Sequence, residues 1–370
     1  MTVLAGGSVF DPDSGRVQRA DVLIEGDRII AVEPEIDGLR VDCTGGLLIP
    51  GLIDCHAHVA FPRPEPLPRS ARILEAVPVL SGLLHRGVTT IRDAWGADAG
   101  FKHALREGWI DGPDLLISLR QLSPTGGLGD SWLPHLGGAD SLGDPALPDP
   151  LFDGPDAARA AVRRMVRAGA DWIKVGAGGA LRTIQEAIDV RPTDDELRAL
   201  VDEAHRCGRD VLAHAHTARA AVSAAQAGVR SIEHGVFLDA EAILAMKEAG
   251  CWFVPTLSPI SETPFADRHR RAVAVALAVG VPIAAGSDLA ARPHVDLLTE
   301  LRLLAFAGLG DAGALKAATS EAARLLRLDH DRGRIEPGLR ADLVLLDGTE
   351  VSVSDLAARI RIVWQDGRRV

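Results

Sequence analysis

Gly51-Leu52-Ile53-Asp54-Cys55-His56-Ala57-His58 is the stretch on which the fold turns. It leaves a Pro50-Gly51 break, runs through mostly apolar positions and ends in two histidines two positions apart. On a strand, residues i and i+2 share a face, so both imidazoles project into one space. Two neutral imidazoles on one rigid element are half of a metal site. Taken alone, the pair also fits one buried, hydrogen-bonded histidine beside a solvated one, and only the rest of the chain separates the two readings.

From residue 51 onward, apolar runs recur at 52–55, 88–91, 115–118, 171–175, 210–213, 231–233, 251–254 and 281–285, and amphipathic helical stretches separate most of them. Ala157 to Ala168 places Ala161, Val162, Met165 and Val166 on one side, and Asp194-Asp195-Glu196 opens a helix that reaches Cys207-Gly208. Eight strands alternating with helices predict an α/β protein, a (β/α)8 TIM-like barrel. An open doubly wound sheet is the rival, but no Gly-x-Gly-x-x-Gly follows the first strand. Both chain ends read as short strands. Ile24-Glu25-Gly26-Asp27-Arg28-Ile29 is a hairpin signal, and Ala341 to Gly348 and Ile360 to Trp364 repeat the pattern. We expect residues 1–50 and 336–370 to pair into one small β-sandwich domain, with the barrel of 51–335 inserted between them.

With 370 residues, 47% of them hydrophobic, the chain can bury a large core. A net charge of −11 and the absence of a long basic run argue against nucleic acid as a partner. The four cysteines lie far apart with no Cys-x-x-Cys, which suits a reducing compartment. The chain starts without a basic, then apolar leader, and no segment approaches 18 uninterrupted apolar residues. These features predict a cytoplasmic protein that does not cross a membrane.

In a closed α/β barrel every strand delivers its C-terminal residue to one rim. The strands here deliver His56 and His58, Asp93, Lys174, His214, His234 and Asp288 in that order. Twelve histidines scattered at random would rarely produce such a set.

With its motifs in order, the chain resembles the amidohydrolase superfamily over nearly its whole length. It is similar to the imidazolonepropionase-like and prolidase-like (Xaa-Pro dipeptidase-like) branch. The matching segments are Pro50 to His58, Gly87-Val88-Thr89-Thr90-Ile91-Arg92-Asp93, Asp171-Trp172-Ile173-Lys174, His214-Ala215-His216, Ser231-Ile232-Glu233-His234-Gly235, Gly286-Ser287-Asp288 and the tail Gly333 to Gly338 with Ala341 to Val344. The resemblance implies that His56, His58 and Asp288 bind a buried divalent metal, while His214 and His234 bind a more exposed one. Lys174 would bridge the two as a CO2-derived carbamate, with zinc the expected metal. An unmodified ammonium has no acceptor and cannot ligate a cation, so the alternative for Lys174 is an ion pair, for instance with Asp93.

The implied reaction is hydrolysis of a C–N bond in an amide, dipeptide or N-acyl amino acid by a metal-bridging hydroxide, with Asp288 carrying the proton to the leaving amine. A one-metal cyclic-amide hydrolase of imidazolonepropionase type is the alternative. Deaminases of the superfamily place a glutamate where Thr217 stands, which counts against them, and a non-catalytic assembly protein would not need the complete ligand set. Candidate substrate contacts are Arg120, His135, Arg182, His216, Arg292 and His294, although solvation is the commoner fate of such residues and is the reading preferred for His216. His85, His103, His205 and His330 read as surface. The Gly- and Pro-rich segment from Arg120 to Asp153 would wall the pocket. The branch often carries a histidine where this chain has Leu128, so no particular dipeptidase activity follows. A small-molecule substrate and homo-oligomeric assembly are the expected partners.

Overall fold

The structure, a computed structural model, describes residues 1–60, 68–133, 137–138, 147–181, 190–290 and 296–370. The expected strand–helix alternation is present. Leu52–His58 pairs in parallel with Val88–Asp93, which pairs with Asp114–Ile117. Gln121–Leu122, Ile173–Gly176, Val211–Thr217, Ser231–Phe237 and Trp252–Val254 form a second parallel sheet in that order. The ladders therefore fall into two sheets rather than one closed ring. Backbone hydrogen bonds reach across both gaps. Asp171 N and Trp172 N donate to Ile117 O, and Cys55 N and Asp288 N donate to Ala285 O and His56 O. Among the described residues, the eighth apolar run, 281–285, makes a single isolated bridge, Ile283 to Phe253. Pro282 has no N–H for a ladder, which is one reason this segment stays irregular.

Parity explains which side chains enter the centre. Ile173 and Val175, Val211, Ala213 and Ala215, and Ile232 pack into the large cluster shared with the helices. Their alternates, Lys174, His214, His216, Ser231 and Glu233, face the other way. The His56 strand does not alternate throughout. Leu52 and Ala57 join the helix-side cluster, whereas Ile53 and Cys55 join another. Strict alternation would have put Ala57 with Cys55, and the pairing shows a register shift between Asp54 and Ala57.

The helices start and stop where their ends are satisfied. The helix expected over residues 157–168 spans Pro155–Arg167 and buries Ala158, Ala161, Val162 and Met165. Asp194–Arg206 opens with a reciprocal capping box between Thr193 and Glu196.

Strands from the two chain ends pair with each other. Gly46–Pro50 lies between Ser8–Asp11 and Leu343–Asp347, antiparallel to the latter, and Leu343–Asp347 pairs onward with Ile360–Gln365. Both faces of these central strands are covered. Leu48, Leu343 and Leu345 pack with Leu4, Val22, Ile29 and Trp364, while Leu47, Ile49, Val344 and Leu346 belong to the helix-side cluster. The predicted hairpin is present, with Ile24 opposite Ile29 and Gly26 at a φ of 59° that a glycine adopts without strain. All four cysteines are free. No helix among the described residues is long and apolar enough to cross a membrane.

Candidate metal centre

Five histidines, a lysine and an aspartate meet at the strand ends. The ring centroid of His56 lies 5.2 Å from that of His58 and 4.8 Å from that of His234. The ring of His214 is 4.5 Å from those of both His234 and His216. His56, His58 and Asp288 offer ligand atoms that all lie within 4.8 Å of one another.

Four of these imidazoles have one nitrogen engaged by the protein. His56 Nδ1–H donates to Glu233 Oε2 at 2.6 Å, leaving Nε2 facing the cluster, 3.5 Å from Asp288 Oδ1. His58 Nδ1 lies 2.9 Å from Trp95 O, and a carbonyl only accepts, so this nitrogen carries the proton; His58 Nε2 is 3.2 Å from Asp288 Oδ1. The same logic puts the proton of His214 on Nε2, 3.3 Å from Gly179 O, and presents its Nδ1. His234 Nδ1 is 2.8 Å from Thr256 Oγ1, presenting Nε2. Burial, reinforced by neighbouring positive groups, holds His56, His214 and His234 far below the usual imidazole range, so all three are neutral and able to ligate.

Two of these side chains reach the centre because their backbones leave the extended region. His234 has φ 71° and Asp288 φ 55°, conformations uncommon for residues other than glycine. Gly286 lets this turn press against the first strand, since a Cβ there would come within 2.8 Å of His56 Cβ. Asp54 fixes the same junction, accepting from Ser287 N, Ser287 Oγ and His56 N. Burial outweighs these bonds and raises its carboxyl to about 6.

Lys174 is buried, and its Nζ is 3.5 Å from His56 Nε2. Among the described residues no carboxylate lies within ion-pair distance of it, so the alternative pairing with Asp93 is absent. Asp93 instead accepts from Val59 N and Ala97 N. Burial pushes Lys174 down to about 8, which brings the neutral amine within reach at physiological pH.

His216 corrects an expectation. It is not solvated but buried, packed against the rings of His214 and His234, and its Nδ1 has no hydrogen-bond partner among the described residues. The rings of His214 and His234, brought together by neighbouring strands, cover it. Arg120 is also buried. His135, Arg182, Arg292 and His294 lie outside the described residues. His85, His103, His205 and His330 are exposed as expected. Thr217 caps the helix Ala218–Ala227, accepting from Ala220 N.

Four further contributors have no role assigned from the sequence, although two of them, Arg92 and Glu233, lie inside the matching segments. Glu233 is fully buried, bound to His56 on one side and to Arg92 Nη2 at 3.1 Å on the other. Arg92, equally buried, also donates to Cys55 O and lies 4.7 Å above the Trp172 ring. His269 and Thr256 hold His234. Charged residues at inward parity within otherwise apolar strands, Arg92 and Glu233, are the signal that could have found the first two.

The amidohydrolase family model matches residues 47–370, and the chain belongs to this family. It is 28% identical to ochratoxinase of Aspergillus niger over 421 aligned positions, covering all of this chain and 86% of that protein. It is 28% identical to imidazolonepropionase of Paracoccus denitrificans, covering 90% of this chain and 89% of that one. A prolidase crystallised with N-methylphosphonate-L-proline superposes with a TM-score of 0.90 at 32% identity, covering 100% and 99% of the two chains. The protein is thus a hydrolase of the amidohydrolase family acting on carbon–nitrogen bonds, as the motif order implied.

Proposed function

We propose that this enzyme hydrolyses an amide bond in a dipeptide or N-acyl amino acid at a binuclear metal centre. In this reading, His56, His58 and Asp288 hold one ion, His214 and His234 hold the other, and Lys174, carboxylated by CO2, joins them. The two parallel sheets are read as one (β/α)8 barrel spanning 51–335. Residues 1–50 and 336–370 are read as the small sandwich. The observation that carries the proposal is the set of engaged nitrogens: each of these four imidazoles is tied at one end and aimed at a shared space by the other, around a buried lysine that has no carboxylate within ion-pair distance among the described residues. The ochratoxinase and prolidase relatives support the substrate class.

Divalent ions bound here would act as Lewis acids and make a water acidic near neutral pH. The chain's own contribution is then orientation and proton handling. Asp288 turns Oδ1 toward His56 and His58, while Oδ2 stands 3.9 Å from His234 Nδ1. That second oxygen takes the proton of the attacking water and passes it to the leaving amine.

The test is elemental analysis of wild type and Lys174→Ala, each purified with zinc and bicarbonate. Near two metals per chain in wild type, falling sharply in the variant, is expected, followed by turnover of Xaa-Pro dipeptides or N-acyl amino acids. One metal in both proteins would overturn the binuclear reading and move the screen to cyclic amides.

A further inference from the structure

Three consecutive strand ends carry a non-glycine residue at positive φ: His234 at 71°, Thr256 at 50° and Asp288 at 55°. Thr256 is the most unusual, because a β-branched side chain crowds its own backbone there. Such a conformation persists only where its surroundings over-determine it. The surroundings are specific. Immediately after Thr256, Leu257 N and Ser258 N each donate to the carboxylate of Glu300 at 2.8 Å, and Ser258 Oγ donates at 2.7 Å. Glu300 is fully buried on the helix Leu297–Leu304, and no cation pairs with it among the described residues. On the other flank, His269 of the helix Ala266–Val279, also fully buried, donates Nε2–H to His234 O at 2.5 Å. Thr256 Oγ1 engages His234 Nδ1 at 2.8 Å. His234 is therefore gripped at both its carbonyl and its ring, with a different helix behind each grip.

We propose that Thr256, His269 and Glu300 form a clamp that fixes the position and tautomer of His234, so that these residues set the affinity of one metal position. The proposal rests on the reading of His234 as a ligand. None of the three is among the proposed ligands; each acts through His234 as a positioning residue. A carbonyl can only accept, so His269 locks the turned backbone. If Nε2 faces the metal, Nδ1–H must donate, and Thr256 Oγ1 is its acceptor. Glu300 acts one step further out by holding Thr256 in a conformation it would otherwise abandon.

The experiment uses the full chain loaded with zinc or cobalt(II) in bicarbonate, and measures metal content, chelator competition and the cobalt visible spectrum. Wild type against His234→Ala comes first. If the two hold the same metal, His234 is no ligand and the clamp falls with that reading. If His234→Ala loses one ion, the variants Glu300→Gln, His269→Gln and Thr256→Val decide. We expect all three to weaken one of the two ions by roughly 10–100-fold, leaving the other unchanged, with an altered cobalt spectrum. Thr256→Ser restores the hydroxyl and is expected to restore affinity. Should both ions stay at wild-type affinity with an unchanged spectrum in Glu300→Gln and Thr256→Val, the clamp is wrong, even if melting temperatures drop. If Glu300→Gln fails to fold, the Thr256→Val and Thr256→Ser pair decides alone.

Discussion

His56 Nδ1 and Glu233 Oε2 stand 2.6 Å apart with both side chains inaccessible to solvent, and the second oxygen of the same carboxylate faces Arg92. One anion thus fixes the tautomer of an imidazole and neutralises a guanidinium, far from water. Glu233→Gln preserves shape but removes the charge from both. The orphaned Arg92 is expected to cost about 3–5 kcal/mol of stability in the metal-free protein, the scale for breaking a buried ion pair. Metal affinity is expected to fall by roughly 10–100-fold through the loosened His56. Denaturant titration and chelator competition measure the two effects separately. A variant as stable as wild type would show that Arg92 finds another partner.

Lys174 makes the opposite prediction. A buried amine with no carboxylate in ion-pair distance among the described residues weakens the metal-free fold, since burial lowers its folded value from 10.5 to about 8. A base with a depressed folded value loses stability as pH falls through that range, because the unfolded chain takes up the proton more readily. Lys174→Met is therefore expected to stabilise the metal-free protein by about 3 kcal/mol at pH 7 while abolishing loading with two metals. Loss of stability instead would mean that Lys174 belongs to a structural ion pair.

Glu300 gives the metal-free protein a pH signature. Burial raises its carboxyl from 4.5 to about 7. Between those values the folded state holds a proton that the unfolded chain releases, so stability falls as pH rises from about 4.5 to 7 and stays lower above it. The effect is on the order of 3 kcal/mol. Asp342, raised to about 7, and Asp54, raised to about 6, slope the same way. Denaturant midpoints across this range should show the decline in wild type and a shallower one in Glu300→Gln. An identical slope in both proteins would assign the effect to the other two acids.

The metal-ligand candidates are legible because their order repeats a simple rule, one polar residue in the C-terminal part of successive parallel strands, although the strands of Lys174, His214 and His234 run two or three residues past them. Lys174, His214 and Glu233 obey period-two parity without exception. The rule says less at His56, where the strand changes phase after Cys55, and at His234 and Asp288, whose positive φ values bring the side chains inward. The turn at Asp288 has a local signal in Gly286, two residues before it, whereas the proposed clamp on His234 draws on His269 and Glu300, which lie 35 and 66 positions further on and have none. His216 departs from its expected solvation because pairing of its strand with the next one packs it against the rings of His214 and His234. The eighth strand is the weakest of the expected elements, since apolar character at 281–285 promises a ladder that Pro282 and the turn to Asp288 do not allow.

Gly46–Pro50 sits directly between a strand from the first dozen residues and one that ends near the last two dozen. A ribosome therefore releases the His56 strand's immediate neighbour long before its partner Leu343–Asp347 exists. Until then, one hydrogen-bonding edge and an apolar face of that segment stay unmatched, a condition that invites mispairing with other nascent chains. Pairing Pro50 with Leu343 means closing a loop that holds the whole strand–helix alternation, which makes this seam a slow, late event in folding. Truncating the final strands should accordingly harm yield and solubility more than their distance from the histidines suggests.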